Sequence, residues 1–133
     1  MKRRLLLLSA WFLAISSGIF AQAPQAMNYQ AIVRDAAGNP KTSGVVGVRF
    51  TIHDNTATGP IVYQETTTAT PNQFGLITTQ IGSGGNLATV NWGNGGKFLQ
   101  VELDINNTSN FTDMGTSQLV SVPYALYAAN SAP

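Results

Sequence analysis

A chain of 133 residues, 44% hydrophobic and only 10% charged, has room for a single domain, and with no cysteine that domain has neither a disulfide framework nor a thiolate metal site and depends on a real apolar core. The formal charge of +1 is misleading, because three of the seven basic residues are Lys2, Arg3 and Arg4. Beyond position 21, four basic residues (Arg34, Lys41, Arg49, Lys97) face six acidic ones, a net charge of −2, which excludes a basic face for a phosphate backbone or anionic lipid.

The basic start is followed by an apolar run over 5–20 and small residues at Ala21 and Ala23, the three-part layout of a secretory signal peptide. A membrane-spanning helix needs roughly 20 predominantly apolar residues, and this run is shorter and softened by Ser16, Ser17 and Gly18. Cleavage after Ala21 is expected, since a cut after Ala23 would leave Pro24 at the first mature position. The mature product therefore carries no membrane segment.

Strands are expected next, over 29–35, 45–54, 61–69, 74–81, 97–105 and 119–124. The clearest covers 45–54, where Val46, Val48, Phe50 and Ile52 alternate with Gly47, Arg49, Thr51 and His53, a period-2 pattern with one apolar face. Leu99, Val101, Leu103 and Ile105 alternate with Gln100, Glu102 and Asp104 in the same way. Between strands stand Gly38-Asn39-Pro40, Thr58-Gly59-Pro60, Gly82-Ser83-Gly84-Gly85-Asn86 and Gly93-Asn94-Gly95-Gly96, turn residues that supply positive φ or a preset φ. Many short strands punctuated in this way predict an antiparallel sandwich or barrel. After Pro123, the helix formers in Tyr124-Ala125-Leu126-Tyr127-Ala128-Ala129 predict a short terminal helix. The expected organisation is a signal peptide at 1–21, a β-sandwich at 22–123 and a short helix and linker at 124–133.

The motifs Met27-Asn28-Tyr29-Gln30-Ala31-Ile32-Val33-Arg34-Asp35, Phe74-Gly75-Leu76, Asn91-Trp92-Gly93-Asn94-Gly95, Phe111-Thr112-Asp113-Met114-Gly115 and Val122-Pro123-Tyr124-Ala125-Leu126-Tyr127-Ala128 resemble the N-terminal module of Bacteroidetes secreted and surface proteins. There the module precedes collagen-like, coiled or tail-fibre-like regions, so the resemblance implies a head or base module of a fibre-like or adhesin-like surface protein. A looser similarity to transthyretin-like and carboxypeptidase-regulatory-like domains, carried by the Asp-x-x-Gly-Asn-Pro turn ending at Pro40 and by Phe74-Gly75, implies a Greek-key sandwich of about seven strands.

Catalytic chemistry finds little support. His53 is the one histidine and is followed directly by Asp54; consecutive strand residues point to opposite faces, so the two do not form a dyad, and an exposed sheet-face histidine is expected. Glu102 and Asp104 share one strand face as neighbours about 7 Å apart, which reads as a polar outer face rather than a glycosidase pair. Asp104-Ile105-Asn106-Asn107-Thr108-Ser109-Asn110 offers oxygen ligands but lacks the central glycine and twelfth-position glutamate of a calcium loop. The glycine-rich stretches lack the Lys-Ser/Thr of a phosphate loop. No catalytic, metal or cofactor residue is expected.

Trp92, Tyr124 and Tyr127 are the candidate interaction residues. Exposed, Trp92 stacks on a sugar ring or a partner; buried, it caps the sandwich, and burial is favoured because large aromatics supply much of a small core. The expected function is a non-enzymatic exported structural or interaction module with other protein chains or surface glycans as partners and homo-oligomerisation open to it. The alternatives are a stand-alone carbohydrate- or protein-binding sandwich and, less favoured, a secreted hydrolase. Open strand edges, 61–69 and the first strand among them, are the candidate sites for strand addition.

Overall fold

The computed structural model describes residues 25–120. The signal peptide expected at 1–21 and the helix expected at 124–129, with Tyr124 and Tyr127, lie outside the described residues. Within them the chain is all-β, with strands β1 (Met27–Ile32), β2 (Val46–Asp54), β3 (Ile61–Ala69), β4 (Leu76–Ile81), β5 (Lys97–Asp104) and β6 (Thr112–Leu119), and one 3₁₀ turn at Leu87–Thr89. They form two antiparallel sheets, β1-β4 and β3-β2-β5-β6.

The alternation in β2 decides where the core sits. Val46, Val48, Phe50 and Ile52 are fully buried, and β2 is paired on both sides, Phe50 facing Glu65 of β3 and Val101 of β5. From the other sheet Ile77 and Ile81 close over this row, and the ring edge of Tyr29 packs on Phe50 with centroids 4.9 Å apart. The chain leaves the larger sheet after β3 for β4 and returns as β5 on the far side of β2, the Greek-key return that the transthyretin-like resemblance implies.

Side-chain acceptors define the turns. Asp35 Oδ1 accepts from Ala37 N and Asn39 N at 2.9 Å while Gly38 takes φ +86°, so Arg34 and Pro40 meet as a bridge. Asn72 Oδ1 accepts from Phe74 N and Leu76 N. Gly75 follows at φ +78°, where a Cβ would stand 2.8 Å from Val33 O. That close approach joins the Phe74-Gly75 turn to the end of β1 and requires glycine.

The described residues hold six strands, the last of them Thr112–Leu119, where no strand is expected over 112–118; the strand expected over 119–124 lies, beyond Val120, outside the described residues. The segment Thr112-Asp113-Met114-Gly115-Thr116-Ser117-Gln118-Leu119 shows little apolar alternation because its inner face is mostly exposed. A register shift at Val101/Glu102, with Gly115 at φ +122°, interrupts its period further.

Candidate functional site

A sheet of two strands cannot cover a sheet of four, and this inequality creates the most distinctive surface of the domain. The β1-β4 pair lies over β2 and β3, whose inward residues Phe50, Ile52 and Tyr63 are buried. The inward residues of β5 beyond Leu99, Val101 and Leu103, are only half-buried. An apolar groove of about 310 Å³ results, lined by Tyr29, Ala31, Ile32, Val101, Leu103 and Met114 among others. It adjoins a hollow of about 360 Å³ along β6 that shares Tyr29, Val101 and Met114. Ile32 is 53% and Met114 61% exposed at its rim. Burial raises the Tyr29 phenol above its ordinary value of 10, so this wall of the groove stays uncharged.

The backbone of the groove matters as much as its side chains. Among the described residues β1 pairs with β4 alone, and in an antiparallel pair alternate residues turn their N–H and C=O groups away from the partner. Those groups of β1 face the open side. An unpaired edge beside an apolar trough provides the two recognition elements of strand addition, main-chain hydrogen bonds and pockets for alternate side chains.

The opposite face of the larger sheet is closed by polar pairs. Arg49 Nε and Nη2 donate to Glu102 Oε2 and Oε1, both at 2.6 Å, and the Arg49 guanidinium stacks 4.4 Å from the Phe111 ring centre. The hydrogen bond from Arg49 holds the Glu102 carboxyl below its ordinary 4.5. A depressed carboxylate pKa stabilises the fold above the unfolded-state value and loses that contribution as pH falls through the folded-state value. Arg49→Gln is therefore expected to flatten the stability loss on acidification below 4.5, measured by urea titrations at successive pH values; an unchanged acid limb would contradict the pairing.

His53 is half-buried rather than exposed, with Nδ1 2.8 Å from Gly59 O and Nε2 2.9 Å from the Gln100 side-chain amide oxygen. Its partners are a carbonyl and an amide, so it holds the β2–β3 turn to β5. Asp54 instead pairs with buried Lys97 at 2.8 Å. Asp104, read as part of a polar outer face, is fully buried. Its carboxylate accepts from the backbone of Asn106 and Ser109 and from the Thr108 hydroxyl, organising the Asn-rich loop in which Asn107 and Ser109 take positive φ. Among the described residues no three His, Cys, Asp or Glu side chains converge as metal ligands.

Trp92 corrects another expectation: it is 44% exposed rather than buried. Its Nε1 donates to Leu87 O at 2.9 Å, which fixes the ring while leaving a face open beside a shallow hollow lined by Gln25, Ala26, Met27 and Leu87. It lies away from the Tyr29–Met114 groove and is not brought together with it.

Sequence reasoning missed Glu65. It is 7% exposed on the inner face of β3 and accepts from Tyr63 Oη at 2.7 Å, Gly82 N at 2.8 Å and Gly84 N at 3.1 Å. The signal available was parity, since Glu65 shares its strand face with Tyr63.

Residues 28–118 match the model of a family described as a domain of unknown function, DUF8740. The chain belongs to that family. The match runs from β1 into β6, so the DUF8740 domain comprises the sandwich, its groove and the Trp92 hollow together. No curated protein and no solved structure matches the chain.

Proposed function

We propose that this DUF8740 chain is an exported, non-enzymatic structural and interaction module, the head or base domain of an adhesin-like or fibre-like surface protein, which engages extended polypeptide by strand addition at β1. The observation that carries this reading is the unpaired β1 edge opening onto the apolar groove. Exposed apolar surface of this kind is characteristic of interaction sites, and open sheet edges are ordinarily covered or put to use. The basic start and apolar run over 1–21 support export. The buried ionisable groups support a structural role: Glu65, Asp104 and Lys97 each hold a loop or turn. Fractionation of the native host with intact-mass measurement tests the address. A product beginning near Gln22 in the envelope or medium is expected; a cytoplasmic product retaining Met1 sinks the reading.

A second reading, a carbohydrate- or protein-binding sandwich, is favoured by the open face of Trp92 beside the Asn-Gly loop. Of the two tryptophans, Trp11 lies within 1–21, so in the mature chain Trp92 alone reports indole fluorescence. Titration with surface glycans is expected to shift or quench that emission, and Trp92→Ala to abolish binding without altering the melting temperature. An unchanged spectrum across a glycan panel removes this reading.

A further inference from the structure

We infer, independently of the strand-accepting reading, that Asn94 is a modification site: the folded loop that carries Trp92 promotes conversion of the Asn94 side-chain amide to a carboxylate through a succinimide.

Asn94-Gly95 is the single Asn-Gly pair in the sequence. Intramolecular deamidation requires the backbone nitrogen after an asparagine to reach the side-chain carbonyl carbon, and a following glycine keeps that approach free of a Cβ. Glycine is required at 95 for structural reasons of its own. It takes φ +72°, and a Cβ there would overlap Asn55 Oδ1. Asn94 itself is exposed. Among the described residues neither its side-chain amide nor the Gly95 N–H has a hydrogen-bond partner. Asn72 and Asn86 differ, because their Oδ1 atoms are held by backbone amides.

The reacting peptide unit is also polarised. Lys97, 4% exposed, donates through Nζ to Asn94 O and, at 3.3 Å, to Gly95 O, and it pairs with Asp54 at 2.8 Å. Asn94 O belongs to the same amide as Gly95 N, the nitrogen that gives up its proton to attack. A cation on that oxygen stabilises the negative charge that builds on the amide as the proton leaves, as a preplaced donor does for any developing oxyanion. Asn55 N donates to Gly96 O at 2.8 Å, which holds the loop from its other side and keeps the peptide unit on the ammonium.

The chemistry balances with water alone. Gly95 N bonds to Asn94 Cγ, the bond from Cγ to the side-chain nitrogen breaks, and ammonia leaves with the proton that Gly95 N releases. One water then opens the five-membered ring, giving aspartate or, with the backbone routed through Cγ, isoaspartate. Either product adds a negative charge to the loop that the Lys97–Asp54 pair anchors. Isoaspartate also adds one atom to a backbone clamped at Asn55 and, through Trp92 Nε1, at Leu87 O. Trp92 is therefore placed to report the change.

Ageing the purified chain at neutral pH, with peptide mapping by mass, tests this. Asn94 in the folded protein is expected to convert roughly threefold or more faster than in the urea-unfolded chain at the same pH, a small part of the roughly 10²–10³ that one donor to an oxyanion gives in a closed site. Asn91, followed by the bulky Trp92 in the same loop, is expected to stay intact and serves as the internal standard. Lys97→Gln, which keeps a neutral donor, is expected to lose the excess in the folded chain and to leave the rate in urea unchanged. The comparison of folded and unfolded wild-type chains needs no variant, so it decides the matter if Lys97→Gln does not fold. Trp92 emission is expected to drift with the conversion, and Asn94→Ser to abolish both. A folded-state rate no greater than that in urea would overturn the inference, as would the full excess persisting in folded Lys97→Gln.

Discussion

Phe50→Ala is expected to lower the unfolding free energy by about 3–5 kcal/mol, the range for removing a large aromatic from a packed interior. Phe50 is fully buried in the strand paired on both sides, with the Tyr29 ring edge against it. Small domains hold about 5–15 kcal/mol in total, so the variant is expected to approach the edge of folding. Urea denaturation should show a lower midpoint with an unchanged slope, since the area exposed on unfolding barely changes. Met114→Ala is the informative comparison. Its side chain is 61% exposed, and if the groove is open its loss should cost under about 0.5 kcal/mol, as for surface sites generally. A large effect at Met114 would show that the groove is filled and that Met114 is part of a core; the size of this number therefore reports groove occupancy directly. A loss under about 1 kcal/mol for Phe50→Ala would contradict the placement of the core.

Glu65→Ala is expected to cost about 2–4 kcal/mol, because it orphans three donors at once, and each buried group left without a partner costs about 1–3 kcal/mol before water or relaxation offsets part of it. The donors are the Tyr63 hydroxyl and the amides of Gly82 and Gly84. The glycine loop has little room to adjust: a Cβ at Gly85 would lie 2.6 Å from Tyr63 Oη, and one at Gly82 would lie 2.5 Å from Gln25 O. Glu65→Gln keeps one acceptor oxygen and replaces the other with a donor, so an intermediate loss is expected. Burial, and secondarily the Glu65 carboxylate, push the Tyr63 phenol well above its ordinary value of 10. The folded state therefore holds that proton more tightly, and its contribution to stability falls as pH rises above 10. Spectrophotometric titration of Glu65→Ala should bring the Tyr63 transition down while burial keeps it above that of a free tyrosine. An unshifted transition would contradict the Tyr63–Glu65 bond.

These residues also mark what could be read from the sequence. β2 and β5 were legible because each has one buried face, so hydrophobicity alternates with the pleat. β6 was not, because the described residues leave most of its inner face uncovered and place no demand on its side chains; Ser117 and Gly115 stand where Leu or Val would otherwise be expected. Asp104 and Glu65 look like surface acids until the loops they bind are folded around them. The spacing of Glu65 from Tyr63 carried the warning, but the partners at Gly82 and Gly84 come from a different element. Trp92 was placed inside on the general behaviour of large aromatics, whereas one hydrogen bond to Leu87 O satisfies its polar end and leaves the ring half open. The groove was the least legible feature, since it arises from the mismatch in sheet width and from no motif.

The central claim, that polypeptide occupies the β1 groove in the native protein, is tested most directly by placing a photoreactive benzophenone side chain at Ile32, on the groove rim, in the full chain. Irradiation followed by peptide mapping is predicted to give adducts on a segment of polypeptide seated along β1. Solvent-quenched probe with no peptide adduct, while the sandwich stays folded, would contradict the account.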